Sequence, residues 1–277
     1  MVFWRSATAG SSQSAAETFE IGMTGLDRPV AIRRTRRARR LSLRINEAKR
    51  SAVLTIPTRV SAREASDFLA RHIDWLRSRL ADLPEPVPFV AGARLPIRGN
   101  EHTLHISPSA NGRRKVWLEN TSPLSNLSSA YEDLGLVDQI SADEHPEDAI
   151  VVQGPQSKVA RRLTSWFKEE ARNDLDARVA LHAAYLAVEP ARITVRDQTT
   201  RWGSCSASGA LSFSWRLVLA PSFVLDYVAA HEVAHLRELN HGPQFWQLVK
   251  ENVPRLDEAR AWLKADGPRL HQYGAGQ

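Results

Sequence analysis

His231 and His235 stand four residues apart with Glu232 between them. On a helix that spacing puts both imidazoles on one face, one turn above each other. Two rings so placed reach one tetrahedral ion at about 2.0–2.1 Å, and the ion they suit is zinc. Glu232 is turned from the pair by about a hundred degrees, close enough to reach a metal-bound water without occupying the metal. A carboxylate there takes the proton as water attacks a carbonyl and delivers it to the leaving amine. Composition alone yields His-Glu-x-x-His in roughly one chain of this length in a hundred, and the helical setting is a second condition that the segment meets.

A catalytic zinc keeps three protein ligands and one open position. His241 lies six residues beyond His235, at the helix-stopping run Asn240-His241-Gly242, so a chain that turns there swings His241 back under the other two rings. A glutamate from a later helix, Glu251 or Glu258, is the alternative ligand. The outer spacing matches the metzincin signature, but Glu238 occupies its glycine position and the only methionines are Met1 and Met23, so the downstream Met-turn is missing. Cys205 is the single cysteine, which excludes an intrachain disulfide and a thiolate-rich metal site. A metal-activated hydroxide makes Cys205 superfluous as a nucleophile, and as a ligand it ranks behind His241.

The elements that must position these residues follow from periodicity. Leu41, Leu43 and Ile45 alternate with polar residues, and Val53–Ile56 returns after a polar turn, which predicts a hairpin. Ser61 and Glu64 form a capping box for one amphipathic helix over 62–81. Short antiparallel strands are expected at 94–97, 103–106 and 115–118, then a long helix over about 157–187. Ile193 and Val195 mark a strand, 203–209 a Gly/Ser turn, and Leu211, Phe213, Trp215, Leu217 and Leu219 a second strand. The metal-motif helix is expected over 222–239, with a short helix over 243–252.

The predicted organisation is therefore a flexible tail over 1–26, a β/α part over 27–118, an acidic and Ser-rich insertion over 119–155 and a catalytic part over 156–272. The fold class is α+β: a small antiparallel or mixed sheet over the HExxH helix, preceded by a hairpin and helix. Hydrophobic residues make up 43% of the 277 and charged residues 25%, the balance of a soluble globular protein. No secretory start or membrane-length apolar run is present, so a cytoplasmic protein with no membrane partner is expected. The net charge of +6 is concentrated at Arg33, Arg34, Arg36, Arg37, Arg39 and Arg40. Such a run on a strand or turn either solubilises a face or draws DNA or another polyanion.

His231-Glu232-Val233-Ala234-His235-Leu236, Asn240-His241-Gly242-Pro243 and Phe245-Trp246 together resemble the signature of the YgjP-like zinc metallopeptidases, relatives of the SprT and WLM groups. Arg201-Trp202-Gly203-Ser204-Cys205, the strand Leu211–Leu217 and Leu41-Ser42-Leu43-Arg44 are similar to that family's other characteristic segments. The resemblance implies a zincin-like fold whose edge strand pairs with an extended peptide. It implies one zinc ion on His231, His235 and His241, Glu232 as catalytic base, and a protein or peptide substrate. SprT and WLM relatives act on proteins crosslinked to DNA, an analogy that suits Arg36, Arg37, Arg39 and Arg40.

Trp202, Gly203 and Ser204 are candidates to line the substrate cleft, although Trp202 equally suits a core position. His271 and Tyr273 read as surface residues rather than oxyanion donors, and Phe245, Trp246 and Trp262 as core. Three functions fit the motif: a zinc peptidase, a zinc hydrolase of a non-peptide bond such as a nucleotide phosphoanhydride, and a nucleic-acid-binding protein with a structural metal. An open coordination position argues against the last.

Overall fold

Residues 30–33 and 51–56 alternate between more and less buried positions, the pattern of strands with one face on a core. The computed structural model describes residues 3–5, 17–26, 28–46, 50–108, 115–119 and 148–275, and they fall into two units divided after Pro86. The first unit holds β1 (Phe3–Arg5), β2 (Glu17–Gly22), β3 (Val30–Arg34), β4 (Ser42–Asn46) and β5 (Ser51–Ile56), in the order β1-β2-β3-β5-β4. The hairpin of β4 and β5 pairs Leu43 with Leu54. Residues 17–22 depart from the expected tail: Phe19 and Ile21 pair with Ile32 and Val30, and Ile21 is fully buried.

The capping box at Ser61 and Glu64 opens α1 (Ala62–Arg71), but the single helix expected over 62–81 is broken at His72. The His72 ring turns back to Phe68 O at 2.8 Å, and α2 (Ile73–Ala81) starts afresh. Leu69 and Leu76 close the unit's core over Ile32, Leu54 and Ile56. Arg36, Arg37, Arg39 and Arg40 are exposed in the connection between β3 and β4, not on a strand.

In the second unit, β6 (Arg94–Ile97), β7 (Asn100–Ser107), β8 (Val116–Glu119) and β9 (Ala149–Gln153) form a sheet ordered β6-β7-β9-β8. Strand β9 lies within the stretch that composition assigns to the insertion. It is buried on both faces, so Ile150, Val151 and Val152 show no alternation to signal it. Residues 120–147 of that stretch lie outside the described residues.

Helix α3 (Gln156–Leu186) runs the predicted course and buries Val159, Leu163, Phe167, Leu175 and Val179 along one stripe. A three-stranded mixed sheet follows, built of β10 (Arg192–Arg196), β11 (Gly203–Cys205) and β12 (Ala210–Ser214) in the order β10-β12-β11. Two expectations fail here. The start of the Gly/Ser turn is itself a strand, β11, and the chain after Ser214 is a 3-10 helix, Trp215–Leu219, rather than more strand. Continued alternation would expose Arg216 and Val218, yet all five residues are buried. The tighter winding lets Arg216 reach Asp197 Oδ1 at 3.1 Å and the carbonyls of Leu270 and Tyr273 at 2.9 and 2.8 Å.

Helix α4 (Ser222–Ala234) is buried on nearly every side, the condition of a central helix. His182 of α3 holds it through Asp226 at 2.8 Å. Helices α5 (Pro243–Asn252) and α6 (Leu256–Ala265) and a 3-10 turn, Gly267–Gln272, complete the unit. No helix among the described residues is long and apolar enough to cross a membrane.

Candidate active site

Helix α4 ends at Ala234, five residues before the expected stop, so His235 is the helix cap rather than an interior residue. The last turn tightens: Leu236, Arg237 and Glu238 donate to Val233 and Ala234 carbonyls. This early exit serves the site. It brings Glu238 O to 2.9 Å from His235 Nδ1, which donates to it, and it lets the chain turn back so that His241 Nε2 lies 3.0 Å from His231 Nε2. An imidazole whose Nδ1–H is so engaged presents Nε2 to a metal.

One nitrogen each from His231, His235 and His241 falls within 4.8 Å of the others. Nitrogens around a tetrahedral zinc are about 3.3 Å apart when each bond is about 2.0–2.1 Å, so the three residues fit the ion with small adjustments. Burial depresses the pKa of His231 to about 4, helped by His235, His241 and Arg260, which keeps the ring in its neutral, ligating form. His241 is exposed, so the cluster opens to solvent on that side. The alternative ligands are engaged elsewhere: Glu251 with Gln247, and Glu258 with Arg255.

Phe245, read from the sequence as core, touches all three rings, with centroids 4.9, 4.5 and 4.6 Å from His231, His235 and His241. It is fully buried and fixes the imidazole planes from below. Its signal was its place four residues after His241, on the first turn of the helix that Pro243 opens. Tyr227, one turn before His231 on α4, places its hydroxyl 3.5 Å from His231 Nδ1.

Glu232 is 5% exposed. Burial pushes its pKa up to about 7, against the opposing pull of Arg201 and the Cys205 backbone N–H. A group poised near neutrality both accepts and returns a proton. Strand β11 packs directly on it: a Cβ at Gly203 would stand 2.5 Å from Glu232 Oε1. Cys205 is outside the histidine cluster, and burial followed by Glu232 raises its thiol pKa, away from the thiolate a ligand or nucleophile requires.

Trp202 is half-buried and stacks on His271 at 5.3 Å and 18°. His271 is therefore not a surface residue: it is 5% exposed, and burial followed by Arg216 depresses its pKa to about 4. Tyr273 is half-buried, and its backbone pairs with Val87. Trp246 and Trp262 pack on the core as expected. Trp202 thus braces β11 on the C-terminal turn, while Ser204 lines a groove on the outer face of the sheet.

The family model described as the YgjP-like metallopeptidase domain matches residues 39–140 and 132–266. No curated protein matches the chain. Among solved structures, the metallopeptidase zymogen of Pyrococcus abyssi abylysin is 17% identical, with a TM-score of 0.29 over 33% of this chain and 95% of that one.

Proposed function

The chain belongs to the YgjP-like metallopeptidase family and is a zinc-dependent metallopeptidase, and from that premise we propose that Glu232 is the general base of peptide-bond hydrolysis. The observation that carries the proposal is a buried carboxylate, with its pKa near 7, next in sequence to a member of the three-histidine cluster and beneath an edge strand.

His231, His235 and His241 would hold the zinc, which would supply a Lewis acid for the scissile carbonyl and the attacking water. The chain's own residues do the rest. Glu238 O and Phe245 orient the imidazoles. The Cys205 N–H and the close packing of Gly203 fix the Glu232 carboxylate, which takes the proton from water and passes it to the leaving amine. Strand β11 pairs only with β12 among the described residues, so Gly203 offers its outer edge to the peptide and Ser204 its groove-facing side chain, while Trp202 braces the strand from behind.

The test is a panel of unfolded proteins, peptides and nucleotides given to zinc-loaded and chelated protein. Peptide cleavage that chelation abolishes and zinc restores is expected. Nucleotide turnover with inert peptides would move the same machinery to a phosphoanhydride. The further reading, that the proteins cleaved are DNA-associated, is supported by the four exposed guanidinium groups of Arg36, Arg37, Arg39 and Arg40, which suit phosphate contacts.

A further inference from the structure

The two faces of the β10-β12-β11 sheet differ in character. Register puts Ile193, Val195, Leu211 and Phe213 on one face, against the hydrophobic core. Arg192, Thr194, Arg196, Ser212 and Ser204 share the other. That second face floors a trough of about 790 Å³. Its floor is small (Ser204, Ala210, Ser212) and its cations are Arg192, Arg196 and Arg201. The one carboxylate in its lining, Asp197, is engaged by the buried Arg216. Among the described residues no carboxylate lies within ion-pair distance of the three arginines.

The trough reaches the proposed catalytic strand. Ser204 and Cys205 line it, and Arg201 acts electrostatically on Glu232. Ser206 N–H bonds Ala210 O, and Ser214 N–H bonds Trp202 O. By alternation, the Gly203 backbone groups and the Cys205 carbonyl face the unpaired edge, the Cys205 N–H being taken by Glu232. A polypeptide strand added there lies about 4.8 Å from β11, with every second side chain on the trough face. Small residues on β11 and β12 leave the trough floor open between that strand and the arginines that border it on β10 and in the turn before β11.

We infer that this trough is a specificity subsite for acidic side chains of the substrate strand, a refinement that rests on the peptide-hydrolysis reading above. Guanidinium groups pair with carboxylates bidentately. No aromatic residue lines the trough, whereas surfaces for single-stranded nucleic acid stack bases on aromatic rings. The chemistry therefore favours an acidic polypeptide.

The experiment uses the zinc-loaded full chain and three matched peptides with Glu, Gln or Lys at alternate positions beside the scissile bond. It is repeated with the double variant Arg192→Glu, Arg196→Glu. Exposed ion pairs are individually weak, so the expected preference for Glu over Gln is about tenfold in kcat/KM, carried by KM and weakened by salt. In the double variant the Glu-to-Gln ratio falls to about one. Fluorescence anisotropy with the Glu232→Gln protein reads the same preference as binding, with an oligonucleotide as competitor. Equal rates for Glu and Gln peptides, or a preference that survives the double variant, overturns the inference while leaving peptide hydrolysis intact. Oligonucleotide binding that the double variant alone abolishes, without acidic-peptide preference, reassigns the trough to nucleic acid. Failure to bind or cleave any peptide removes the peptidase reading and the subsite with it.

Discussion

Glu232→Gln lowers kcat by about a thousandfold, within the range that a positioned general base contributes, while the protein keeps its zinc. The substitution preserves the shape of a side chain buried between α4 and β11 but removes the basic oxygen. Glu232 is not part of the histidine cluster, so metal stoichiometry stays at one per chain. Burial opposes ionisation of this carboxylate, so the neutral amide leaves the melting temperature of the metal-free protein equal or higher. Turnover, zinc content and melting are measured on the same preparation. Wild-type turnover would remove Glu232 as the base, and loss of zinc would make it a ligand.

Gly203→Ala is the second large effect, and it arises from space rather than backbone strain. The new methyl would lie 2.5 Å from Glu232 Oε1, 2.6 Å from Cγ and 2.8 Å from Cδ, well inside contact distance. The carboxylate has no free direction of escape, since it is buried and held by the Cys205 N–H. It must shift by a large fraction of an ångström or push β11 from α4. A misplacement on that scale costs about a hundredfold in rate, while the histidine cluster, to which β11 contributes no member, retains zinc. A Gly203→Ala protein with wild-type kcat would show that the carboxylate's position is not set by this contact.

The three-histidine cluster was legible because imidazole spacing on a helix is a strong local signal. The geometry around them was less so. The sequence predicts α4 through Leu239, since nothing between Ala234 and Asn240 breaks a helix. Its early end goes with the local bond from His235 to Glu238 O and with the return of His241 to His231. Likewise Trp215–Leu219 alternates like a strand, but burial of Arg216 against three partners outweighs the pattern. Strand β9 was hidden for the opposite reason, since burial on both faces erases alternation. Phe245 had only its place four residues after His241 to mark it, and the contact of Gly203 with Glu232 is made across the fold, where no local periodicity reaches. The arginine-rich run announced itself by composition, but composition does not distinguish the β3–β4 connection it occupies from a strand.

The most direct test of the account is zinc K-edge absorption on the loaded wild-type protein. Three imidazole nitrogens at about 2.0–2.1 Å with one exchangeable light-atom ligand are expected, and His241→Ala should reduce the imidazole count by one. A sulfur neighbour at about 2.3 Å would identify Cys205 as a ligand, close the open position and contradict a hydrolytic centre built on His231, His235 and His241.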